Sequence, residues 1–273
     1  SLAVEIKGGI NSEISRYGIK AVIGGSTYYV TSSGELSGNE ADISYKRISE
    51  WGSKVYVTGL STNSEYSISV RAKNEDGIET GYSTGMRKYT LSAIPETGLG
   101  VSGYDIYNTS ITISWGSGGN PEWTEYRVEQ STADWGDGGS VSYNDEGWGS
   151  ILGTTMTYLN SNSKYYLRVM SRNGDGVISS GYGEYEGMYT RIEEIEAGRI
   201  IYEIRYSSIG VVIEDEYTNL GIGLSKLVLR EEVSGLEHEI TGPGTNPWWW
   251  VTGLLANTTY GIKIKGINSD GLE

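Results

Sequence analysis

Histidine and cysteine, the residues most often used for catalysis, are almost missing from this chain of 273 residues: His238 is the single histidine and there is no cysteine. A Ser–His–Asp triad would have to use His238, which lies between Glu237 and Glu239. No P-loop sequence accompanies it. We therefore expect no catalytic residue, and we interpret His238 as an exposed polar residue of a strand or hairpin.

Carboxylates are abundant, with 35 Asp and Glu residues against 21 Lys and Arg residues. A glycosidase with paired carboxylates is compatible with this composition, but the acidic groups fall mainly in linkers and loops, where they favour a solvated surface. Without cysteine, zinc–thiolate and iron–sulfur sites are excluded. We expect no metal and no cofactor, while a shared linker site around residues 193–196 remains an open alternative.

The net charge of −14 bears on the partners of the chain. Phosphate binding requires clustered Lys and Arg, so the charge argues against nucleic acid and against docking on anionic membranes. No apolar run approaches the roughly 20 residues that a membrane-spanning helix requires. We expect neither a nucleic-acid partner nor membrane insertion in this segment.

The tryptophans are the best candidates for binding chemistry. In the string WWWVTGL, strand alternation turns Trp249 and Val251 inward and turns the tryptophans on either side of Trp249 outward. Exposed aromatic rings suit a partner surface or a platform for stacking sugars. The alternative is that the rings cap the ends of a sandwich or pack between modules. The candidate binding residues are Trp248, Trp250, Trp123 and Trp148.

An internal repeat indicates the elements that position these residues. Three segments align without gaps and begin at Leu60, Leu159 and Leu254: LSTNSEYSISVRAKNEDG, LNSNSKYYLRVMSRNGDG and LLANTTYGIKIKGINSDG. In each segment a Tyr follows the Leu by six residues, the sequence then alternates as a half-buried strand does, and it ends in Asn-x-Asp-Gly. This pattern predicts strand F of a Greek-key sandwich followed by a tight turn.

The tyrosines match the tyrosine corner that precedes strand F in such sandwiches, where the hydroxyl ties down the turn. The predicted corners are Tyr66, Tyr165 and Tyr260. The acidic residues of the turns offer too few oxygens for calcium. We interpret Asp76, Asp175 and Asp270 as turn formers.

Further strands are predicted on either side of the repeated segments. Strand B is predicted over residues 16–23, 108–115 and 205–213, and strand C over residues 26–33, 124–131 and 225–232. Strand E precedes each repeated Leu. A final strand G ends at Tyr89-Thr90 and at Tyr189-Thr190. The chain ends at Gly271-Leu272-Glu273, where the third strand G should begin.

Taken together, the corner motif, the Asn-x-Asp-Gly turn and a TEYRVE-type strand C resemble fibronectin type III repeats. The resemblance implies an all-β fold of three tandem fibronectin type III-like Greek-key β-sandwiches, the third lacking its final strand. We call residues 1–92 module 1, residues 93–191 module 2 and residues 192–273 module 3. The middle repeat fits best, because it alone has a tryptophan, Trp115, at the end of its predicted strand B.

The resemblance implies an architectural function and transfers no activity. We expect a non-catalytic extracellular or cell-surface scaffold, such as a modular stalk or the subunit of a surface filament. The alternative is a carbohydrate-binding accessory region of a larger secreted enzyme. Expected partners are neighbouring modules or other copies of the chain, whose residues 2–7 could supply the missing strand, and glycans in addition.

Overall fold

The computed structural model describes residues 1–98, 103–135, 141–143, 147–194, 200–213, 224–241 and 248–273. Within these ranges the helical residues are confined to a 3-10 turn at Glu40–Asp42 and a short helix, α1, at Ile48–Trp51. No helix in the described ranges is long and apolar enough to span a membrane. The architecture is all-β, as expected.

All strand pairing among the described residues is antiparallel. The strands are β1 (Leu2–Val4), β2 (Arg16–Ile23), β3 (Ser26–Val30), β4 (Leu36–Ser37), β5 (Val55–Val57), β6 (Glu65–Lys73), β7 (Met86–Tyr89), β8 (Gly103–Ile106), β9 (Ile111–Ser114), β10 (Glu125–Ser131), β11 (Val141–Tyr143), β12 (Gly153–Met156), β13 (Lys164–Arg172), β14 (Gly183–Glu184), β15 (Met188–Tyr189), β16 (Ile200–Ile204), β17 (Ser208–Ile213), β18 (Lys226–Glu231), β19 (Glu237–Ile240), β20 (Trp249–Thr252) and β21 (Ile262–Ile267).

Module 2 shows the complete topology. One sheet has the order β12-β9-β8, and the other has the order β11-β10-β13-β14, with β15 also paired to β13. In the nomenclature of immunoglobulin-like sandwiches these sheets are A-B-E and C′-C-F-G, the arrangement of a type III-like module. Strand alternation builds the core, because Tyr165, Leu167 and Val169 of β13 are all at most 5% exposed.

Module 3 repeats this plan without a strand G. Its sheets are β16-β17-β20 and β19-β18-β21, so strands A, B and E and strands C′, C and F are present. The other edge of β21 pairs with no described strand. This agrees with the expectation that the third sandwich lacks its final strand.

Module 1 corrects two strand assignments. Residues 16–23, predicted as strand B, form β2, which pairs with the F strand β6 in the register that β10 has with β13; β2 is therefore strand C. Residues 26–33, predicted as strand C, contain β3, which is strand C′. The real strand B is β1, which pairs with the E strand β5. Strands B and C alternate alike, so the sequence pattern did not separate them.

One edge of β1 pairs with β5, and the other edge pairs with no described strand. In module 2, strand A occupies the corresponding edge of β9. A groove of about 920 Å³ borders β1 and the G strand β7. Apolar side chains line much of it, including Leu2, Val4 and Met86. Module 1 is therefore open along its strand B.

Three separate hydrophobic clusters fill the three modules. Ile19, Ala21 and Val30 lie in the first, Trp115 and Tyr126 in the second. The third is built around fully buried residues such as Leu227 and Leu229 of β18. One core per sandwich is what a tandem arrangement of layered modules requires.

Candidate functional site: the junctions between modules

The three tyrosines predicted at the corners have the same geometry. The hydroxyl of Tyr66 accepts a hydrogen bond from the backbone N–H of Ser61 at 3.0 Å. Tyr165 accepts one from Asn160 at 2.9 Å, and Tyr260 accepts one from Leu255 at 2.8 Å. Each phenol thus fixes the turn that leads into strand F, and that turn carries the first residue of the junction.

This first residue is an asparagine that the repeat contains three residues after its Leu. Asn63, Asn162 and Asn257 adopt positive φ values of 43°, 45° and 54°. Asn tolerates this left-handed conformation better than most residues, which explains its place in the turn. Asn63 is fully buried and Asn162 is 2% exposed, because the next module covers both. Asn257 is exposed.

The junction of modules 1 and 2 is held from both sides. Asn63 Nδ2 donates to Thr124 Oγ1 at 2.8 Å, and its Oδ1 accepts from the N–H of Gly174 at 2.9 Å. Thr124 directly precedes strand C of module 2 and is fully buried. The corner of one module is thereby bound to two elements of the next.

The Asn-x-Asp-Gly turn of module 2 binds back to the end of strand G in module 1. Asn173 Nδ2 donates to the carbonyl of Thr90 at 3.0 Å. The N–H of Tyr89 donates to Asp175 Oδ2 at 3.1 Å, and Lys88 Nζ lies 3.0 Å from the same oxygen. Charge-assisted hydrogen bonds of this kind are stronger than neutral ones.

The junction of modules 2 and 3 repeats these contacts with equivalent residues. Asn162 Nδ2 donates to Ser225 Oγ at 3.1 Å, where Ser225 directly precedes strand C of module 3. Asn268 Nδ2 donates to the carbonyl of Thr190 at 3.2 Å. The N–H of Tyr189 donates to Asp270 Oδ2 at 2.8 Å. Three hydrogen bonds therefore recur across both junctions.

In the Asn-x-Asp-Gly turns of modules 2 and 3, the asparagine closes the turn and the aspartate contacts the preceding module. This corrects the interpretation of the aspartates as turn formers. The Oδ1 atoms of Asn173 and Asn268 hold the turns, each accepting from two backbone N–H groups. The carboxylates of Asp175 and Asp270 instead reach across to the preceding module. The N–H of Tyr89 and the nearby Lys88 hold the pKa of Asp175 below its usual value.

Threonine closes the corner from within its own module. Thr90 Oγ1 donates to the carbonyl of Ser61 at 2.6 Å, and Thr190 Oγ1 donates to that of Asn160 at the same distance. Each hydroxyl also accepts from a backbone N–H of its corner, at 3.0 Å and 2.9 Å. The end of strand G and the corner therefore form one rigid edge.

Apolar contacts add to the polar ones. Trp123, a candidate binding residue, meets the ring of Tyr89 edge-on with centroids 5.7 Å apart, and it remains 50% exposed. A Cβ at Gly174 would come within 2.6 Å of the Tyr89 ring. At the second junction Leu272 packs against the hydrophobic cluster of module 2.

The remaining tryptophan candidates lie on outward sheet faces. The ring of Trp148 has the guanidinium groups of Arg127 and Arg172 over it, at 4.7 Å and 4.6 Å. Such cation–π pairs stabilise the surface of a sheet. Trp148 is therefore half-buried and engaged within module 2.

Trp248 and Trp250 stack on each other, with ring centroids 5.9 Å apart. Both rings lie over Gly210, and Arg205 covers Trp250 at 4.0 Å. Trp248 is 40% exposed. These two rings form a small aromatic surface on the outward face of the A-B-E sheet of module 3.

His238 differs from the expectation of an exposed residue. It lies on β19 directly opposite Leu229, whose side chain is fully buried, so it shares the inward face of the sheet. Its ring stacks on that of Trp249 at 5.7 Å and an interplanar angle of 8°. The half-buried His238 therefore contributes to packing.

Residues that bind the modules together were largely missed by sequence reasoning. The corner asparagines and the hydroxyl residues before strand C are equivalent in position, and their recurrence in each repeat was the available signal. A second missed feature is the cation–π pairing of Arg168 with Trp135 and Tyr182, at 4.0 Å and 3.7 Å.

The described ranges hold no group of three or more His, Cys, Asp or Glu side chains arranged to bind a metal. Glu193 and Glu194 of the proposed linker site are described, but residues 195–199 lie outside the described ranges.

No protein-family model matches the chain. A comparison with curated proteins finds no match. Among solved structures, a two-domain fibronectin type III segment of chicken tenascin is 20% identical, covers 63% of this chain and 83% of that chain, and superposes with a TM-score of 0.36. The FN1–FN3 domains of chicken CNTN1 are 17% identical, with coverage of 96% and 86% and a TM-score of 0.27.

A redesigned β-sandwich protein is 19% identical, with coverage of 37% of this chain and 94% of that chain and a TM-score of 0.28. The class of the protein follows from its own strand order. The chain is an all-β protein of tandem type III-like sandwiches.

Proposed function

We propose that the chain is a non-catalytic structural scaffold of the extracellular space or the cell surface. Its modules, bounded at residues 1–92, 93–191 and 192–273, are held in a fixed arrangement, so the chain sets a distance between whatever it connects. One observation carries this proposal: the same three side-chain hydrogen bonds recur at both junctions, and two of the three are donated by buried asparagines. Flexible linkers need no such specific contacts.

The chemistry of the junction supports rigidity. A buried side chain that loses its hydrogen-bond partner costs about 1–3 kcal/mol, so the first junction, with buried Asn63, and the second, with buried Asn162, resist opening. The charge of −14 favours solubility of such a scaffold. We further propose that the three tyrosine corners have a purely structural role and that the scaffold requires no metal or cofactor.

The absence of cysteine allows a clean test, because two spin labels can be attached to introduced cysteines without background. Ser53→Cys and Val233→Cys put the labels on exposed positions of modules 1 and 3. Electron–electron double resonance should give one narrow distance distribution. A broad distribution in the otherwise unaltered chain would contradict a distance-setting scaffold.

Carbohydrate binding is the second candidate function, and the stacked pair of Trp248 and Trp250 favours it. Paired aromatic rings on a sheet face suit the apolar face of a sugar. Screening against a glycan array tests this candidate. Binding that disappears in Trp248→Ala but persists in Trp148→Ala would support it, and no binding to any glycan would remove it.

A further inference from the structure

The amino-terminal face of module 1 repeats the residues with which modules 2 and 3 bind the preceding module. Its turn contains Asn74 and Asp76, in the positions of Asn173 and Asp175. Ser15 directly precedes its strand C, in the position of Thr124. All three side-chain types required at a junction are therefore present.

The turn of module 1 also has the local structure of the other two. Asn74 Oδ1 accepts from the N–H of Ile78 at 2.8 Å, as Asn173 Oδ1 accepts from Val177 and Asn268 Oδ1 from Leu272 at the same distance. This leaves Nδ2 of Asn74 pointing away from the turn that its Oδ1 closes. In the described ranges nothing accepts from this Nδ2 and nothing donates to Asp76.

An exposed apolar side chain adds to this face. Ile78 is 67% exposed. Its equivalent in module 3, Leu272, packs against the hydrophobic cluster of module 2. The same position supplies an apolar contact at the second junction, whereas its equivalent at the first junction, Val177, is 45% exposed.

We infer that Ser15, Asn74, Asp76 and Ile78 form a docking surface for the carboxyl-terminal end of another type III-like module. The occupant must present what modules 1 and 2 present at their own junctions: a corner asparagine with positive φ, which docking buries, and a strand G that ends in Tyr-Thr. The inference rests on the junction role proposed above and extends it to a third contact.

The partner makes complementary contacts with each group. Its strand-G tyrosine N–H donates to Asp76, and its threonine carbonyl accepts from Asn74 Nδ2. Its corner asparagine donates to Ser15 Oγ. Ile78 is covered in the same step, which removes apolar surface from water.

An extended chain tests the docking surface without removing any part of the protein. A second copy of residues 1–207 is fused to the amino terminus of the complete chain. The fusion point follows from the equivalence of strand B in modules 1 and 3. Leu2 pairs with Val57 in module 1 as Ile209 pairs with Val251 in module 3, so Ser1 is equivalent to Ser208. Ser1 of the complete chain therefore follows directly after Ser207 of the added copy. The added strand A then continues into β1 as β16 continues into β17.

The measurement is the accessibility of isoleucine and leucine methyl groups to a soluble paramagnetic relaxation agent, observed by NMR. The extended chain has two copies of Ile78. The first copy should stay as accessible as in the original chain, and the second should become several-fold less accessible, similar to Leu272. Asn74→Ala together with Asp76→Ala in the second copy alone should restore its accessibility.

Two outcomes would overturn the inference: equal accessibility of both copies of Ile78, or protection of the second copy that the double variant leaves unchanged. The failure of the proposed function looks different. In that case Leu272 itself would be as accessible as Ile78 in the original chain, because the existing junction would be open.

Discussion

The corners of modules 2 and 3 have the same local structure and different surroundings. Asn162 and Asn257 share positive φ values of 45° and 54°, and Tyr165 and Tyr260 tie down the two turns in the same way. Yet Asn162 is buried beneath the next module, whereas Asn257 is exposed. The repeat therefore determines the corner, and the neighbouring module determines how much the corner contributes to stability.

The largest expected difference between the two corners concerns the asparagine itself. Asn162→Ala should destabilise the chain by about 3 kcal/mol, because it puts Ala in a left-handed conformation and leaves buried Ser225 with one partner fewer. Asn257→Ala should cost only about 1 kcal/mol, because it puts Ala in a left-handed conformation but breaks no hydrogen bond across a junction. Urea unfolding of the two variants checks this.

Glycine variants separate the two contributions. Asn162→Gly and Asn257→Gly keep the backbone conformation at little steric cost, so the difference that remains between them reports the hydrogen bond across the junction. Equal losses for the two alanine variants would contradict the role assigned to the junction.

Gly174 tests how closely the modules approach. Gly174→Ala should cost about 2 kcal/mol, because its Cβ would come within 2.6 Å of the Tyr89 ring and would separate modules 1 and 2. Ser269→Ala, at the equivalent position of module 3, is the matched control: it removes only an exposed hydrogen bond from the N–H of Leu224 and should change the melting temperature little. An unchanged melting temperature in Gly174→Ala would show that the two modules are not in contact.

The loss of stability on removing the corner hydroxyl should differ less between modules 2 and 3. Tyr165→Phe leaves the N–H of Asn160 without its acceptor in a part-buried site and should cost about 1–2 kcal/mol. Tyr260→Phe acts at an exposed corner where water replaces the hydroxyl, so a smaller loss is expected. Thermal unfolding of the two variants measures the difference, and a larger loss in Tyr260→Phe would contradict it.

The smallest effect is that of pH on Asp175. Its pKa in the folded chain is lowered, so its contribution is present above the unfolded pKa of about 4 and is lost as the pH falls through the lower folded value. Asp175→Asn should cost about 1 kcal/mol or less at pH 7 and should remove part of the acid sensitivity of the junction.

Asp76→Asn is the matched control for this pH effect, because Asp76 lies in the equivalent turn and no described residue donates a hydrogen bond to it. The free energy of unfolding of Asp76→Asn, measured between pH 2 and pH 7, should change with pH in the same way as that of the unaltered chain. If the stability of Asp175→Asn depended on pH just as that of the unaltered chain does, the carboxylate of Asp175 would not act at the junction.

The repeated sequence was sufficient to predict the F strands, the corner tyrosines and the turns, because each depends on neighbours in sequence. The alternation of the sequence likewise predicted that Trp249 and Val251 point inward: Trp249 packs against the third cluster and Val251 is buried. Only strands B and C of module 1 were assigned wrongly, since β1 has only three residues and β2 alternates as a strand B would.

The junctions could not be derived in the same way. Asn63 and Thr124 are 61 residues apart, and their hydrogen bond depends on how two modules meet. The sequence suggested a turn function for Asp175 because Asn-x-Asp-Gly forms turns by itself. That the Asn closes the turn and the Asp reaches across became visible only in the structure.

A double-mutant cycle across the first junction tests the central claim most directly. Asn63→Gly, Thr124→Val and the two combined are compared with the unaltered chain by urea unfolding, and the cycle for Asn162→Gly and Ser225→Ala is measured in parallel. Both cycles should give a favourable coupling energy of about 1 kcal/mol. Coupling energies of zero in both would show that the modules are only tethered.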